Sequence, residues 1–231
     1  MATDLSTLRS RARTRADAVG NNFFSDSEVD RYINVGLGEL HDILVQKFED
    51  YYVTSKEFSL VSGKTSYTFN ELGIRNFYKC IGVDCTDSGE TIRVRRFSFQ
   101  ERNRYDATAI TGRGGYTDYQ YQIRGNGIEF IPEPNTTSTI KLWYIPAFAD
   151  LEDDDDEISS FIMSNWEEFA IVTAVYKMKE KEELSTTVIE RELEAIRRRI
   201  EEASANRDAG EPGGITDELT GTRAGWLRAS R

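Results

Sequence analysis

The stretch LVSGKTSY ends in Gly63-Lys64-Thr65, the closing residues of many phosphate-binding loops. Such a loop cradles phosphates on backbone N–H groups, sets its lysine on the outer phosphates and its hydroxyl on Mg²⁺. It also needs a glycine five positions before Gly63, where Phe58 stands. A hairpin rather than a helix is expected to follow, so the nucleotide reading fails twice. His41 is the single histidine. A general base needs an oriented partner and a pocket, and Asp42 leaves the same helix in another direction, so His41 reads as a packing or surface residue. Cys80 and Cys85 in CIGVDC should point to opposite faces of a strand. Their spacing is not that of a zinc site, and they read as two reduced cysteines in a sheet.

Asp153 to Asp156 with Glu157 could hold a hard cation, but a calcium loop alternates its ligands around a central glycine and this run does neither. It reads as a solvated acidic linker whose charge favours the start of the next helix. Asn135-Thr136-Thr137 has the form of a glycosylation sequon and reads as a polar turn. Tyr116, Tyr119 and Tyr121, beside Arg113 and Arg124, could stack on a nucleic acid strand. In a strand, however, Tyr119 and Tyr121 share a face, as pairs packed within sheets do. No nucleophile elbow or other catalytic motif is present. The expectation is a protein that is not an enzyme, with no catalytic residue, cofactor or metal.

The elements that hold these residues follow from periodicity. Leu5, Leu8, Ala12, Ala16 and Val19 form one helical stripe ending at Gly20-Asn21-Asn22, with Arg9, Arg11, Arg13 and Arg15 mostly off it. Ser25 and Glu28 match a capping box, with Phe24 as the staple residue. Val29, Ile33, Leu37, Leu40 and Leu44 then mark a long helix. Gly36 and Gly38 within it predict close approach of another helix, or a bend. From residue 53 the period becomes alternating. Six or seven short strands are predicted up to Pro146, with turns at Ser62-Gly63-Lys64 and Asp87-Ser88-Gly89 and a hairpin across Gly125-Asn126-Gly127. Helical spacing returns with Ile162, Trp166, Phe169, Thr173 and Tyr176. A last helix over about 186–204 carries Val188, Leu193, Ile196 and Ile200. The fold class is therefore α+β: a four-helix core from 1–52 and 147–206, an inserted antiparallel β domain at 53–146, and an extended tail at 207–231.

The 231 residues carry a formal charge of -11, with 39% hydrophobic and 30% charged residues. That balance is globular, and it argues against phosphate tracking as the main task. No apolar run approaches the roughly 20 residues that span a bilayer, so no membrane contact is expected. The arginine-rich N-terminus lacks the apolar core of a secretory signal, which predicts residence in a cytoplasm.

LRSRARTRADAVGNNFFSDSEVDRYINVGLGELHDILV and SNWEEFAIVTAVYKMKEKEELSTTVIERELEAIRRRIEEASANRDAGEP carry a resemblance. With the β region between them, they resemble the head-to-tail connector, or adaptor, family of tailed phages, up to about residue 212. That resemblance implies a virion neck protein assembled in the host cytoplasm. It implies a ring, typically dodecameric, of neighbouring copies beneath a portal protein, with a tail or nozzle protein below. DNA would pass through without specific binding, and a C-terminal extension would reach the portal. The alternatives are a tail-tube or tail-completion protein of the same particle, or a small nucleic-acid-binding module using the Tyr/Arg strand.

The segment EPGGITDELTGTRAGWLRASR is the remaining expectation. Glu211-Pro212-Gly213-Gly214 stops the last helix. Beyond Glu218 come Arg223, Arg228 and Arg231 with no acid. Ile215, Leu219, Arg223, Trp226, Leu227 and Arg228 are the predicted partner-binding residues of a segment that orders on binding.

Overall fold

The computed structural model describes residues 3–20, 23–87, 89–98, 100, 119–135, 137–158 and 161–205. The predicted tail contacts, together with Tyr116 and Arg113, lie outside these residues.

Helix α1 spans Leu5–Arg15, and the Asp4 carboxylate caps it by accepting the Thr7 N–H at 2.6 Å. The stripe ends at Ala16, not Val19. Asp17 takes a left-handed turn at φ 57, which sends Ala18 inward and leaves Val19 73% exposed. Helix α2 spans Asp26–Lys47 and begins on Ser25, whose hydroxyl accepts the Glu28 N–H at 3.2 Å. Only that half of the capping box is built. The Glu28 carboxylate instead accepts from Lys181 Nζ at 2.7 and 2.8 Å and from the Tyr32 hydroxyl at 2.9 Å.

The single helix expected after the acidic run is divided into α3, Phe161–Asn165, and α4, Glu168–Lys181. Helix α5 spans Thr187–Ala205. The described helices thus number five, one more than the sequence pattern predicts.

Phe169 through Val175 are all buried, so α4 is apolar around its circumference rather than along a narrow seam. Ile162, Trp166 and Tyr176 of the expected seam are only partly buried. A helix buried on all sides lies within a core. Leu5 and Leu8 of α1, Ile33, Leu37 and Leu40 of α2, and Ile196 and Ile200 of α5 join α4 in one cluster. Gly36 permits the closest packing there. A Cβ added to it would lie 2.8 Å from Ala170 Cα, whereas one on Gly38 would meet nothing within 4 Å. The expectation of close approach therefore holds for the first glycine alone.

The described strands between Thr54 and Pro146 form two four-stranded sheets. The first has the order β1 (Thr54–Ser59), β8 (Thr139–Pro146), β3 (Phe77–Asp87), β4 (Glu90–Arg93). The second has the order β2 (Ser66–Thr68), β7 (Gly127–Ile131), β6 (Gln120–Arg124), β5 (Arg95–Arg96). Pairing is antiparallel except between β5 and β6, which are parallel. The hairpin across Gly125 and Asn126 is built as expected, with Arg124 opposite Gly127. The one expected at Ser62-Gly63-Lys64 is not, because β1 pairs with β8 and β2 with β7.

A β-bulge changes the cysteine geometry. Cys80 faces Tyr144, but the register shifts before Gly82, so that Val83 faces Leu142 and Cys85 faces Ile140. The extra residue turns both cysteines toward the same face, against the simple alternation expected from their spacing. Neither cysteine forms a disulfide. Cys85 packs with Val83, Ile128, Phe130, Ile140 and Leu142 in a second apolar cluster, which shares no residue with the helical one.

Candidate functional site

The described residues among those considered for chemistry serve structure. Lys64 forms an ion pair with Glu71 and lies 4.7 Å from the Tyr67 ring, while the Gly63 N–H donates to the Pro134 carbonyl at 2.9 Å. No phosphate cradle results from this loop. Tyr119 and Tyr121 are buried. The Tyr119 hydroxyl donates to Asn135 Oδ1 at 2.7 Å, and the Tyr121 hydroxyl lies 3.7 Å from the Cys80 sulfur. Burial pushes the Tyr121 phenol up to about 12. Arg124 pairs with Glu129 at 3.5 Å. These tyrosines offer no open face for a base. Among the described residues, no group of three His, Cys, Asp or Glu is placed to hold a metal ion.

The acidic run is not merely a solvated linker. The Asp156 carboxylate accepts the Glu152 and Asp153 N–H groups at 2.7 and 2.9 Å, which holds its pKa down. The Asp156 and Asp154 carbonyls accept the Leu5 and Ser6 N–H groups, so the run closes over the start of α1. Asn34 of α2 fixes it from below, donating to the Leu151 carbonyl at 2.9 Å and accepting the Leu151 N–H at 3.0 Å.

The α1 arginines are occupied in the same way. Arg9 grips Asp30 with two hydrogen bonds at 2.6 and 2.8 Å and reaches Asp154 at 2.7 Å. The Asp30 hydrogen bonds push the Arg9 pKa up against the opposing effect of burial. Arg11 pairs with Glu167 and Glu168, Arg13 with Asp26 at 2.7 Å, and Arg15 with Glu168 and Glu192. Together they tie α1 to α2, α4 and α5. Partners so distant in sequence leave no local spacing signal.

His41 sits where the two regions meet. It is 4% exposed, edge-on to Tyr52 and Tyr78 at 5.3 and 5.6 Å, and 6.4 Å from Phe148. It also hydrogen-bonds the Pro146 backbone. Burial lowers its pKa, while nearby Asp42, 4.0 Å from Nδ1, works in the opposite direction. Tyr52 and Pro146 flank the entry to and the exit from the β region, so this imidazole braces both chain crossings.

One surface has the character of a contact site. Val19, Phe23, Leu184 and Val188 are 73%, 54%, 51% and 75% exposed. Lys179 Nζ donates to the Ala16 carbonyl at 2.8 Å, and Lys181 Nζ lies 4.6 Å from the Phe23 ring. These contacts bring the α1–α2 turn beside the α4–α5 turn and gather the apolar side chains at one end of the helices. Contiguous exposed apolar patches of several hundred Å² are the kind of surface found at contacts with other proteins.

Residues 3–215 match the SU10 adaptor protein family. The chain belongs to that family. Comparison with curated proteins gives no match. The SU10 adaptors are phage head-to-tail adaptors. The match spans both the helices and the sheets and ends at Ile215, so Leu219, Arg223, Trp226, Leu227 and Arg228 lie beyond it. No described helix of this adaptor is long and apolar enough to cross a membrane.

Proposed function

We propose that the protein is a non-enzymatic head-to-tail adaptor of the virion neck. It docks as a dodecameric ring beneath the portal, forms part of the DNA channel and receives a tail or nozzle protein below. The observation that carries this reading is the family match across 3–215, which takes in both apolar cores. In the proposed division, helices from 1–52 and 147–206 form the ring-building domain, and 53–146 is an insert with its own core.

The segment 207–231 is proposed to bind the portal, with Ile215, Leu219, Arg223, Trp226, Leu227 and Arg228 as its contacts. Trp and Arg are the residue types that most often anchor interfaces. The test is electron microscopy of purified protein mixed with the cognate portal. The expected result is a portal-bound ring. Its absence, together with absence of the protein from purified virions, overturns the reading. Deleting 213–231 should weaken portal binding and leave thermal unfolding nearly unchanged; unaltered binding removes the tail from the interface. Cross-linking in intact particles distinguishes an adaptor from a tail-tube or tail-completion protein, by showing whether its neighbours are portal or tail subunits.

A further inference from the structure

The negative charge of the chain is not evenly spread. Residues 1–52 and 147–206 carry twenty-six Asp and Glu against thirteen Lys and Arg. Residues 53–146 carry ten against twelve. The β region is thus slightly basic, on a chain whose formal charge is -11.

Three of those twelve basic residues lie together on one edge of the fold. Strand β4 is the outer strand of the first sheet and β5 the outer strand of the second. The chain passes directly from one to the other through Val94, which is buried and donates its N–H to the Val83 carbonyl at 2.8 Å. Arg93, Arg95 and Arg96 flank that anchor, all three exposed. Among the described residues none of the three has a carboxylate within ion-pair distance, whereas Arg9, Arg11, Arg13 and Arg15 are all paired. The acidic loop shows the converse. Glu152, Asp153 and Asp155 are exposed with no cation paired to them among the described residues, and only Asp154 is taken up, by Arg9.

We propose that this arginine edge binds the acidic helical surface of a second copy of the chain, with Glu152, Asp153 and Asp155 foremost. The proposal rests on the ring reading above and names the faces that meet. Two identical arginine edges repel, and so do two acidic loops. An edge-to-loop contact can be made reciprocally about a two-fold axis or head to tail, and the ring reading selects the second. Repeated head-to-tail contacts close into rings when the rotation allows. The occupant is an acidic protein face rather than nucleic acid because the chain as a whole repels a polyanion, while every copy supplies the matching acidic loop.

The experiment uses full-length protein at low salt, with assembly read by sedimentation and by electron microscopy on the portal. R93E/R95E/R96E should weaken self-association on the order of 100-fold, since opposed like charges cost several kcal/mol. E152K/D153K/D155K should do the same, and the six-fold variant combining them should regain assembly. Unchanged thermal unfolding of each variant excludes a folding defect. Rings of the triple variants equal to wild type overturn the proposal and leave the arginines as guards against sheet-edge aggregation. Failure of the six-fold variant to recover also overturns it. So does duplex-DNA binding by the wild type that R93E/R95E/R96E abolishes without affecting assembly; the edge is then a nucleic acid contact. Wild type that binds portal while the variants assemble normally removes this inference and keeps the adaptor. Wild type that assembles through the edge and ignores portal does the reverse.

Discussion

The helical and β regions solve the problem of burial differently. The helices meet through small residues and saturated ion pairs: Gly36 against Ala170, and four arginines of α1 spread over three partner helices. The sheets meet through aromatic rings. Phe69 stacks on Phe77 at 4.0 Å, and Phe58, Tyr67 and Phe130 pack at 5.2 to 6.3 Å. The arginines of α1 are taken up in long-range pairs within the subunit, while among the described residues Arg93, Arg95 and Arg96 of the β edge have no carboxylate partner. A charge already paired within the subunit has little left for a neighbour. The side chains left unpaired in each region, the arginines of the β edge and the acids Glu152, Asp153 and Asp155, are therefore the ones equipped to attract another molecule.

The sharpest way to break this contrast is to empty each core in turn. Phe169→Ala and Phe130→Ala both remove fully buried rings, and each should cost about 3–5 kcal/mol. If the cores are energetically separate, calorimetry will show the first variant lowering one transition and the second lowering the other. A single transition shifted equally by both would make them one cooperative unit. The next effect in size tests the helical contact. Gly36→Ala should cost about 1–3 kcal/mol, because the new methyl meets Ala170 backbone that cannot swing away. Gly38→Ala, made in open space two residues on, should instead stabilise by up to about 1 kcal/mol in urea titration.

The smallest effect concerns the joint between the regions. The folded His41 pKa lies below its ordinary 6.5. The unfolded chain therefore takes up a proton first as pH falls. The stability contributed by neutral His41 is full above pH 6.5 and is lost as pH drops from there through the lower folded value. Unfolding midpoints measured from pH 7.5 to 5.5 should decline, and His41→Gln should flatten that part of the slope. An equal slope in the variant would assign the dependence to other groups.

Much of the helical region was legible in the sequence because a stripe of Leu and Ile at three- and four-residue spacing has one geometric meaning. The stripe of α2 is buried at every expected position. The seam assigned around Phe169 was too narrow, since Ala170, Val172 and Ala174 are small enough to pass unnoticed between larger side chains. Six or seven strands are legible against the eight described, and the β6–β7 pairing is legible too, but the partners of β1 and β2 are not. Ser62-Gly63-Lys64 bends the chain in the way a hairpin would, and only the competing pairing with β8 and β7 sends its two arms into separate sheets. The cysteine faces are not legible from spacing because one bulged residue inverts the alternation beyond it. Of the packing or surface role expected for His41, the structure gives packing. Its position between two crossings could not be seen, because Tyr52, Tyr78 and Phe148 approach it only in three dimensions.

The contact between α1 and the acidic loop also bears on the order in which the chain can fold during synthesis. Leu5 and Ser6 wait for carbonyls at Asp156 and Asp154, and Gly36 waits for Ala170. The aromatic cluster from Leu60 to Leu142 has all its members in hand before any of these arrive. On the ribosome, the first two helices emerge without their central partner while the sheets behind them already have theirs. The part of the protein written second is thus the first that can be finished.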